Sequence, residues 1–358
     1  MSGQRIRLGL IGCGAMACNV HLPALTSLGE FDVTAVAETD ERARAKALKL
    51  APGARAFVDY RDLLTQAEID AVIVALPNQL HSDAALAALS SRRHVYLEKP
   101  VGISRDDIHR LQQATARDDR VVMVGFNYRY HPLARQLRDL MSGGAVRRIV
   151  AARSIFTTHE RTLPPWKHTR QTGGGALLDL ASHHVDLTRF MFAQPIVRVA
   201  ADIHSLRTEH DVASVSMTLA DGVVVQSLFS FGIAARDEWT VYGDSGILHL
   251  DRHYSFGVSV DPPAAESRSR VAFRRVAQAL RGPMLWERLR SPGRDPSFRT
   301  ALRDFAAAIR GEANADRPLL ADGCRSLDVV LAAELSAESG QPVECAEPPA
   351  DSALGRAS

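Results

Sequence analysis

The sequence predicts an α/β fold in two parts: a doubly wound parallel sheet at the N-terminus, then a second α/β domain with a large, open, mostly antiparallel sheet. Three observations carry this. Short apolar runs alternate with helix-length segments up to residue 124, and a glycine turn, Gly12-Cys13-Gly14-Ala15-Met16-Ala17, closes the first of those runs. Beyond residue 147 the pattern changes to β-branched and aromatic stretches separated by turn residues. The expected division is 1–124, 125–345 and a Pro-, Ala-, Ser- and Gly-rich tail, 346–358, expected to be disordered.

The elements follow in order. A strand over 6–11, the glycine turn and a helical stretch through Leu25 make a strand–turn–helix unit. Small residues are needed there because Gly12 makes the turn, Gly14 lets the backbone approach a pyrophosphate, and Ala17 packs helix on strand. The start of the helix then faces the phosphates, with Ala15 and Met16 beside them. The next strand, 33–37, ends in Glu38, an acid placed to bind the ribose hydroxyls of adenosine and to repel a 2′-phosphate. NAD is therefore favoured over NADP, although Arg42 and Arg44 could accommodate a phosphate, and Glu38 also reads as the start of a helix in an exposed Glu-Thr-Asp-Glu run.

Strands at 71–75, 94–97 and 121–124 alternate with helices at 83–89 and 105–116. In such a sheet the ligand lies at the carboxyl ends of the strands. Leu76, Asn78 and His81 follow one strand end, and Glu98 and Lys99 follow the next, so all are candidates to line a cofactor crevice; His81 reads equally well as a packed or capping histidine. In the second part, strands are expected at 148–157, 197–206, 214–219, 223–231, 238–242 and 247–250. Asp221-Gly222 and Asp244-Ser245-Gly246 are read as hairpin turns. Helices at 298–310 and 327–339 close the chain.

Composition narrows the function. With 358 residues and 46% hydrophobic content, the chain is long enough for two ordinary globular domains. Its apolar runs are strand-length, short of the ~20 residues a membrane helix needs. The first strand begins too early to leave room for a signal peptide, so a cytoplasmic location is expected. Forty-three basic residues face 41 acidic ones, which gives no overall electrostatic case for nucleic acid. Cys13, Cys18, Cys324 and Cys345 form no CxxC pair, so neither a zinc cage nor a disulfide framework is expected, and no metal is invoked.

The candidate chemistry lies in two places. Glu98-Lys99-Pro100 offers an acid/base lysine, and Lys99-Pro100 is a candidate cis bond because only an X-Pro bond offers that form at low cost. Gly173-Gly174-Gly175 opens an apolar, helix-like run holding Asp179, His183 and Asp186. Asp179 and His183 are four residues apart and share a helix face. A carboxylate beside an imidazole suits a general base near neutral pH. The same spacing also describes an ordinary helical ion pair or a satisfied core histidine. His184, about 100° further round, is read as structural, or as reaching the substrate if the helix start is irregular, and Asp186 as support for the fold or a subunit contact. One local charge excess stands out: residues 267–294 hold eight arginines (268, 270, 274, 275, 281, 288, 290, 294) against one acid, Glu287. It reads as a solvated insertion or oligomer contact, or as a patch that grips a phosphate or a nucleotide-linked sugar through arginine forks.

Taken in this order, the motifs resemble the Gfo/Idh/MocA family of sugar and inositol oxidoreductases. The match runs through the glycine turn with His21-Leu22-Pro23-Ala24-Leu25, through Pro77-Asn78-Gln79-Leu80-His81, Glu98-Lys99-Pro100 and Gly125-Phe126-Asn127-Tyr128-Arg129, and through residues 173–186. Ala181 departs from the glycine more often seen in that last motif. The resemblance implies an N-terminal Rossmann domain and a second domain whose open sheet carries the substrate site on one side and commonly a subunit interface on the other, hence a homo-oligomer, dimer or tetramer. It also implies a small polyol or sugar substrate; the charge balance and hydropathy given above point to no nucleic-acid or membrane partner.

The resemblance implies roles as well. Lys99, Asp179 and His183 surround the reacting hydroxyl: His183 exchanges its proton, Lys99 polarises the same oxygen, and Asp179 orients His183 and binds a neighbouring hydroxyl. Glu98 helps set the nicotinamide face. Asn127 and Tyr128 fall at substrate-facing positions, and Trp166 either closes over nicotinamide or sugar or anchors a loop. The function implied is NAD(H)-dependent interconversion of a secondary alcohol and a ketone on a sugar, aminosugar or cyclitol. A non-catalytic NAD-responsive binding protein, or a sugar–sugar oxidoreductase with a tightly held cofactor, are the alternatives.

Overall fold

The computed structural model describes residues 4–116, 118–160, 162–262, 267–290 and 295–345; Arg294 and the tail 346–358 lie outside them. The chain divides into two compact units. The first is Met1–Tyr130 with Gln171–Gly173 and Pro296–Leu327, and the second is His131–Arg170, Gly174–Asp295 and Asp328–Ser358. The division is discontinuous, residues 171–173 and 296–327 clustering with the first unit. The reason is packing: the helix Ser297–Ile309 buries Ala301, Leu302, Phe305 and Ala306 completely in the first unit's core. There Phe305 stacks on Phe31 with centroids 6.3 Å apart and meets the edge of Tyr96 at 5.6 Å.

In the first unit β1 (Ile6–Ile11), β2 (Phe31–Ala37), β3 (Arg55–Phe57), β4 (Ala71–Val74), β5 (His94–Leu97) and β6 (Val122–Val124) form a parallel sheet in the order β3-β2-β1-β4-β5-β6. The strand order reverses between β1 and β4, so the crevice for a ligand opens at their carboxyl ends. Strand burial is near complete: all four residues of β4 and all three of Val95–Leu97 are buried, as expected for strands covered on both faces. The expected strands are found within a residue or two. β3 and the helix Tyr60–Gln66 were not anticipated, because β3 is a three-residue edge strand in which only Phe57 is buried. Helix starts are well specified: Ser104 and Asp107 make a reciprocal capping box before Arg105–Thr115.

In the second unit β7 (Ile149–Thr158), β8 (Ile196–His204), β9 (Val212–Leu219), β10 (Val224–Phe231), β11 (Arg236–Gly243), β12 (Gly246–Asp251), β13 (Ser259–Asp261) and β14 (Val343–Glu344) form one sheet, ordered β13-β12-β11-β7-β10-β9-β8-β14. All neighbours are antiparallel except β7 and β10, which run parallel. The six long strands match the expectation closely, whereas the short edges β13 and β14 leave no apolar run to read. The helix Pro132–Ser142, also unanticipated, buries Leu133, Ala134, Leu137 and Met141 along one stripe. Its Arg138 guanidinium lies 4.3 Å over the Phe190 ring of the helix Ser182–Phe192. The last helix runs Leu320–Ser339, starting seven residues before the expected 327. Among the described residues, no helix is long and apolar enough to cross a membrane.

Candidate active site

The first unit builds a cradle at the β1/β4 switch point. Gly12 ends β1 with φ +89°, and a Cβ there would lie 2.5 Å from the Ala75 carbonyl oxygen, so only glycine fits the turn. At Gly14 a Cβ would meet nothing within 4 Å, and Ala15 and Met16 are exposed beside it. Ala17 is fully buried and begins a single wide turn, Ala17–His21, closed by the Leu22 N–H on the Ala17 carbonyl. An i→i+5 turn of this kind recurs at functional sites. Glu38, just past β2, is fixed toward the same turn: Oε2 accepts from the Cys13 N–H at 2.8 Å, and Oε1 accepts from the Asp40 N–H at 3.0 Å and the Thr39 hydroxyl at 3.2 Å. The helix starts only at Glu41, capped by Asp40, so Glu38 is not a helix start. Arg44 donates to the Glu38 carbonyl at 2.6 Å. An open glycine turn with exposed backbone and a carboxylate at the end of β2 fits a dinucleotide with free ribose hydroxyls.

Around β4 and β5 the polar groups serve mostly as struts. The Asn78 amide donates to the Gly173 carbonyl at 2.7 Å. His81, 1% exposed, has Nδ1 2.6 Å from the Pro100 carbonyl and Nε2 2.8 Å from the Leu76 carbonyl. Burial holds its pKa below the ordinary histidine value, against the pull of those carbonyls and of Glu98. His81 thereby links the two strand-end loops. Glu98 is buried and paired with His21, Nε2 to Oε1 at 2.8 Å. Burial pushes the Glu98 pKa up, but the His21 hydrogen bond and the charges of His21, Lys99 and His81 outweigh it and bring it below the usual carboxylate value. Lys99 follows, half-buried, with a cis bond to Pro100.

Asn127 and Tyr128, expected to face substrate, are buried in the first unit, and the Asn127 amide donates to Ser297 Oγ at 2.7 Å. That bond ties the end of β6 to the helix Ser297–Ile309. The neighbouring Tyr130 hydroxyl similarly donates to Asp304 at 2.5 Å. All four cysteines are buried, and burial pushes the Cys13 thiol up to about 12.

In the second unit, Gly174 leads into a second wide turn, Leu177–Ala181, and then the helix Ser182–Phe192. Asp179 sits on the wide turn and His183 on the first turn of the helix; each is 8% exposed, whereas His184, Asp186 and Thr188 are at 0–1%. Asp179 Oδ2 accepts from Lys167 Nζ at 2.5 Å. The Lys167 ammonium also lies 5.1 Å over the ring of Trp166, its neighbour on the turn Pro165–Lys167. The His183 ring is 6.3 Å from that of Phe156 on β7. The expectation of a shared α-helix face assumed regular helix, whereas Asp179 lies on the wide turn and only His183 on the helix.

His184 turns the other way. Its Nδ1 is 3.0 Å from Ser154 Oγ and its Nε2 is 3.3 Å from Asp237, and its ring packs on Phe156 and Trp239 at 5.3 and 4.9 Å. The order Ser–His–Asp resembles a nucleophilic triad, but Ser154 is 0% exposed and also bonded to Ser227 Oγ at 2.8 Å, so no substrate can reach it. Burial raises the Asp237 pKa, yet Arg252 and His184 outweigh that and hold it well below the usual carboxylate range. These contacts hold His184 in a buried network of Ser154, Asp237, Phe156 and Trp239.

In the arginine-rich stretch, Arg274 pairs with Asp261 at 2.8 Å, and Arg288 donates to the Arg252 carbonyl at 2.8 Å and to that of His253. Those two guanidinium groups brace the unit. Phe273, Val276, Leu280, Trp286 and Leu289 are exposed on the helices Arg268–Leu280 and Leu285–Arg290.

Residues the sequence reading did not single out for the site are His21, partner of Glu98, and Lys167, partner of Asp179. His21 lay within a quoted motif without a role. Lys167 carried no signal beyond standing next to Trp166.

Comparison with known proteins agrees with this architecture. Residues 6–126 match an oxidoreductase family described as having an NAD-binding Rossmann fold, and residues 134–249 match the GFO/IDH/MocA C-terminal domain. The chain is 29% identical over 332 residues to the dTDP-3,4-didehydro-2,6-dideoxy-α-D-glucose 3-reductase of Streptomyces antibioticus, covering 92% of this chain and 96% of that protein. It is 31% identical over 266 residues to the enzyme of the same name from Streptomyces violaceoruber, covering 73% and 75%. Among solved structures, the WlbA dehydrogenase of Bordetella pertussis, in complex with NADH and UDP-GlcNAcA, superimposes with a TM-score of 0.81 at 20% identity, covering 97% of this chain and all of that one. The chain belongs to the Gfo/Idh/MocA family of oxidoreductases and carries its NAD-binding Rossmann domain.

Proposed function

We propose that this enzyme interconverts a secondary alcohol and a ketone on a sugar, aminosugar or cyclitol, with NAD(H) as redox partner. The observation that carries this reading is the short buried stretch holding Asp179 and His183, each keeping a small exposed fraction, in a chain whose other unit has a dinucleotide cradle. Gly12, Gly14 and Glu38 would hold the cofactor, which supplies the acceptor or donor of the hydride.

The chain's own residues handle the proton. His183 takes it from the substrate hydroxyl in oxidation and returns it in reduction. Lys99 donates a hydrogen bond to the same oxygen and stabilises the negative charge that develops there. Asp179 favours the protonated imidazole and helps fix its orientation. The family relatives named as dTDP-sugar reductases, and the neighbour solved with UDP-GlcNAcA, support a nucleotide-linked sugar as the first substrate class to try.

The test is a nicotinamide absorbance assay over nucleotide-linked keto sugars, free sugars and inositols. NADH consumption with one of them, lost in His183→Ala, supports the reading. NADH binding without turnover of any would favour the NAD-responsive binding protein.

A further inference from the structure

We propose that Lys167 is a positioning residue of this site: its ammonium holds the Asp179 carboxylate in place, and so acts on His183 through Asp179. The inference rests on the acid/base reading just given and adds a residue to it.

The geometry is that of a built contact. Lys167 Nζ and Asp179 Oδ2 are 2.5 Å apart, and the two side chains are only 15% and 11% exposed. A pair so far out of water is weakly screened, so the contact holds its geometry more firmly than an exposed pair would. Asp179 is on the wide turn Leu177–Ala181, whose backbone departs from regular α-helix, so a direct ionic contact adds definition where the ladder is irregular.

The backbone beneath Lys167 is fixed as well. The Lys167 N–H donates to the Pro164 carbonyl at 2.9 Å, the His168 N–H to the Pro165 carbonyl at 3.1 Å, and the Gly174 N–H to the Thr169 carbonyl at 2.9 Å. A Cβ on Gly174 would collide with the carbonyl oxygens of both Lys167 and Thr169. The loop therefore lies directly on the glycine that leads into the Asp179 turn. Three residues further along, Arg170 is anchored to Glu334, with Nη2 to Oε2 at 2.8 Å, and its N–H donates to Glu209 at 2.6 Å. Lys167 is thus presented to Asp179 from a braced loop, and the same cation over the Trp166 ring ties that aromatic to the pair.

The test is a double-mutant cycle in kcat with the substrate found above. Lys167→Met should lower kcat roughly ten- to hundred-fold, the loss expected from misplacing a reacting group, with NADH affinity unchanged. Lys167→Arg keeps the cation and should restore most of the rate. Lys167→Met combined with Asp179→Asn should be no slower than Asp179→Asn alone, because the lysine acts through the carboxylate. Thermal melting and NADH titration of each variant separate these effects from misfolding. Multiplicative losses in the double variant, or full activity in Lys167→Met while Asp179→Asn and His183→Ala are crippled, would overturn the inference and leave the acid/base reading standing. Full activity in Asp179→Asn and His183→Ala would remove the acid/base reading and this inference together.

Discussion

His21 Nε2 and Glu98 Oε1 lie 2.8 Å apart with both side chains removed from water, joining segments 77 residues apart in the sequence. The His21 ring is held edge-on by Tyr96 and Phe298 at 5.7 and 6.2 Å. The residue before Lys99 is therefore fixed from below by the helix that follows the glycine turn. His21→Leu leaves a buried carboxylate without its donor and should cost about 3–5 kcal/mol of stability, whereas His21→Gln, which keeps an N–H donor, should cost less. Denaturant unfolding of the two variants checks this, and equal small losses would contradict it. The sign in pH follows from the lowered Glu98 pKa: its stabilisation is present above the unfolded value, about 4.3, and is lost as pH falls through the folded value.

Glu38 should set cofactor choice. Its carboxylate is held at the glycine turn by the Cys13 N–H, and Arg44 stands on its carbonyl. Glu38→Gln keeps an acceptor for Cys13 and removes the charge that repels a 2′-phosphate. The NAD/NADP preference in kcat/KM should move toward NADP by about tenfold, equivalent to ~1.4 kcal/mol. An unchanged ratio would place the discrimination elsewhere.

His131 should make the fold acid-sensitive. Its Nδ1 accepts from the Leu133 N–H at 3.3 Å at the start of the helix Pro132–Ser142, which requires the unprotonated nitrogen. Burial, with Arg252 and Arg288 nearby, takes its pKa down to about 4 against the pull of Asp295 and Asp237. The unfolded chain then binds a proton that the folded one refuses between about pH 6.5 and the folded value. Stability should fall by about 3 kcal/mol across that window on acidification. His131→Asn keeps a capping acceptor without titrating, so its melting temperature should vary less between pH 7 and 4.5. A slope equal to that of the wild type would contradict this.

What the sequence revealed and what it hid follow one physical divide. Strands buried on both faces, such as β4, and long alternating strands such as β10 announce themselves through continuous or alternating apolar residues. The edges β3, β13 and β14 are two or three residues long and carry no period to detect. Gly12 was legible because the turn itself demands a glycine, whereas the wide turn that holds Asp179 leaves no period in the sequence to announce it. The contacts His21–Glu98, Lys167–Asp179 and Asn127–Ser297 were not legible either, since they join residues distant in sequence whose pairing only tertiary packing decides. The helix Ser297–Ile309 shows the same limit at domain scale: its apolar face was readable, but not the unit it packs on.

The most direct test of the central claim is the steady-state rate of NADH oxidation by wild type, His183→Ala and Lys99→Met on a nucleotide-linked keto sugar, with NADH affinity measured in parallel. Each substitution should lower kcat by ~10²–10⁴-fold while leaving NADH binding nearly intact. Near-wild-type turnover in both variants would contradict the account and move the acid/base chemistry away from these two residues.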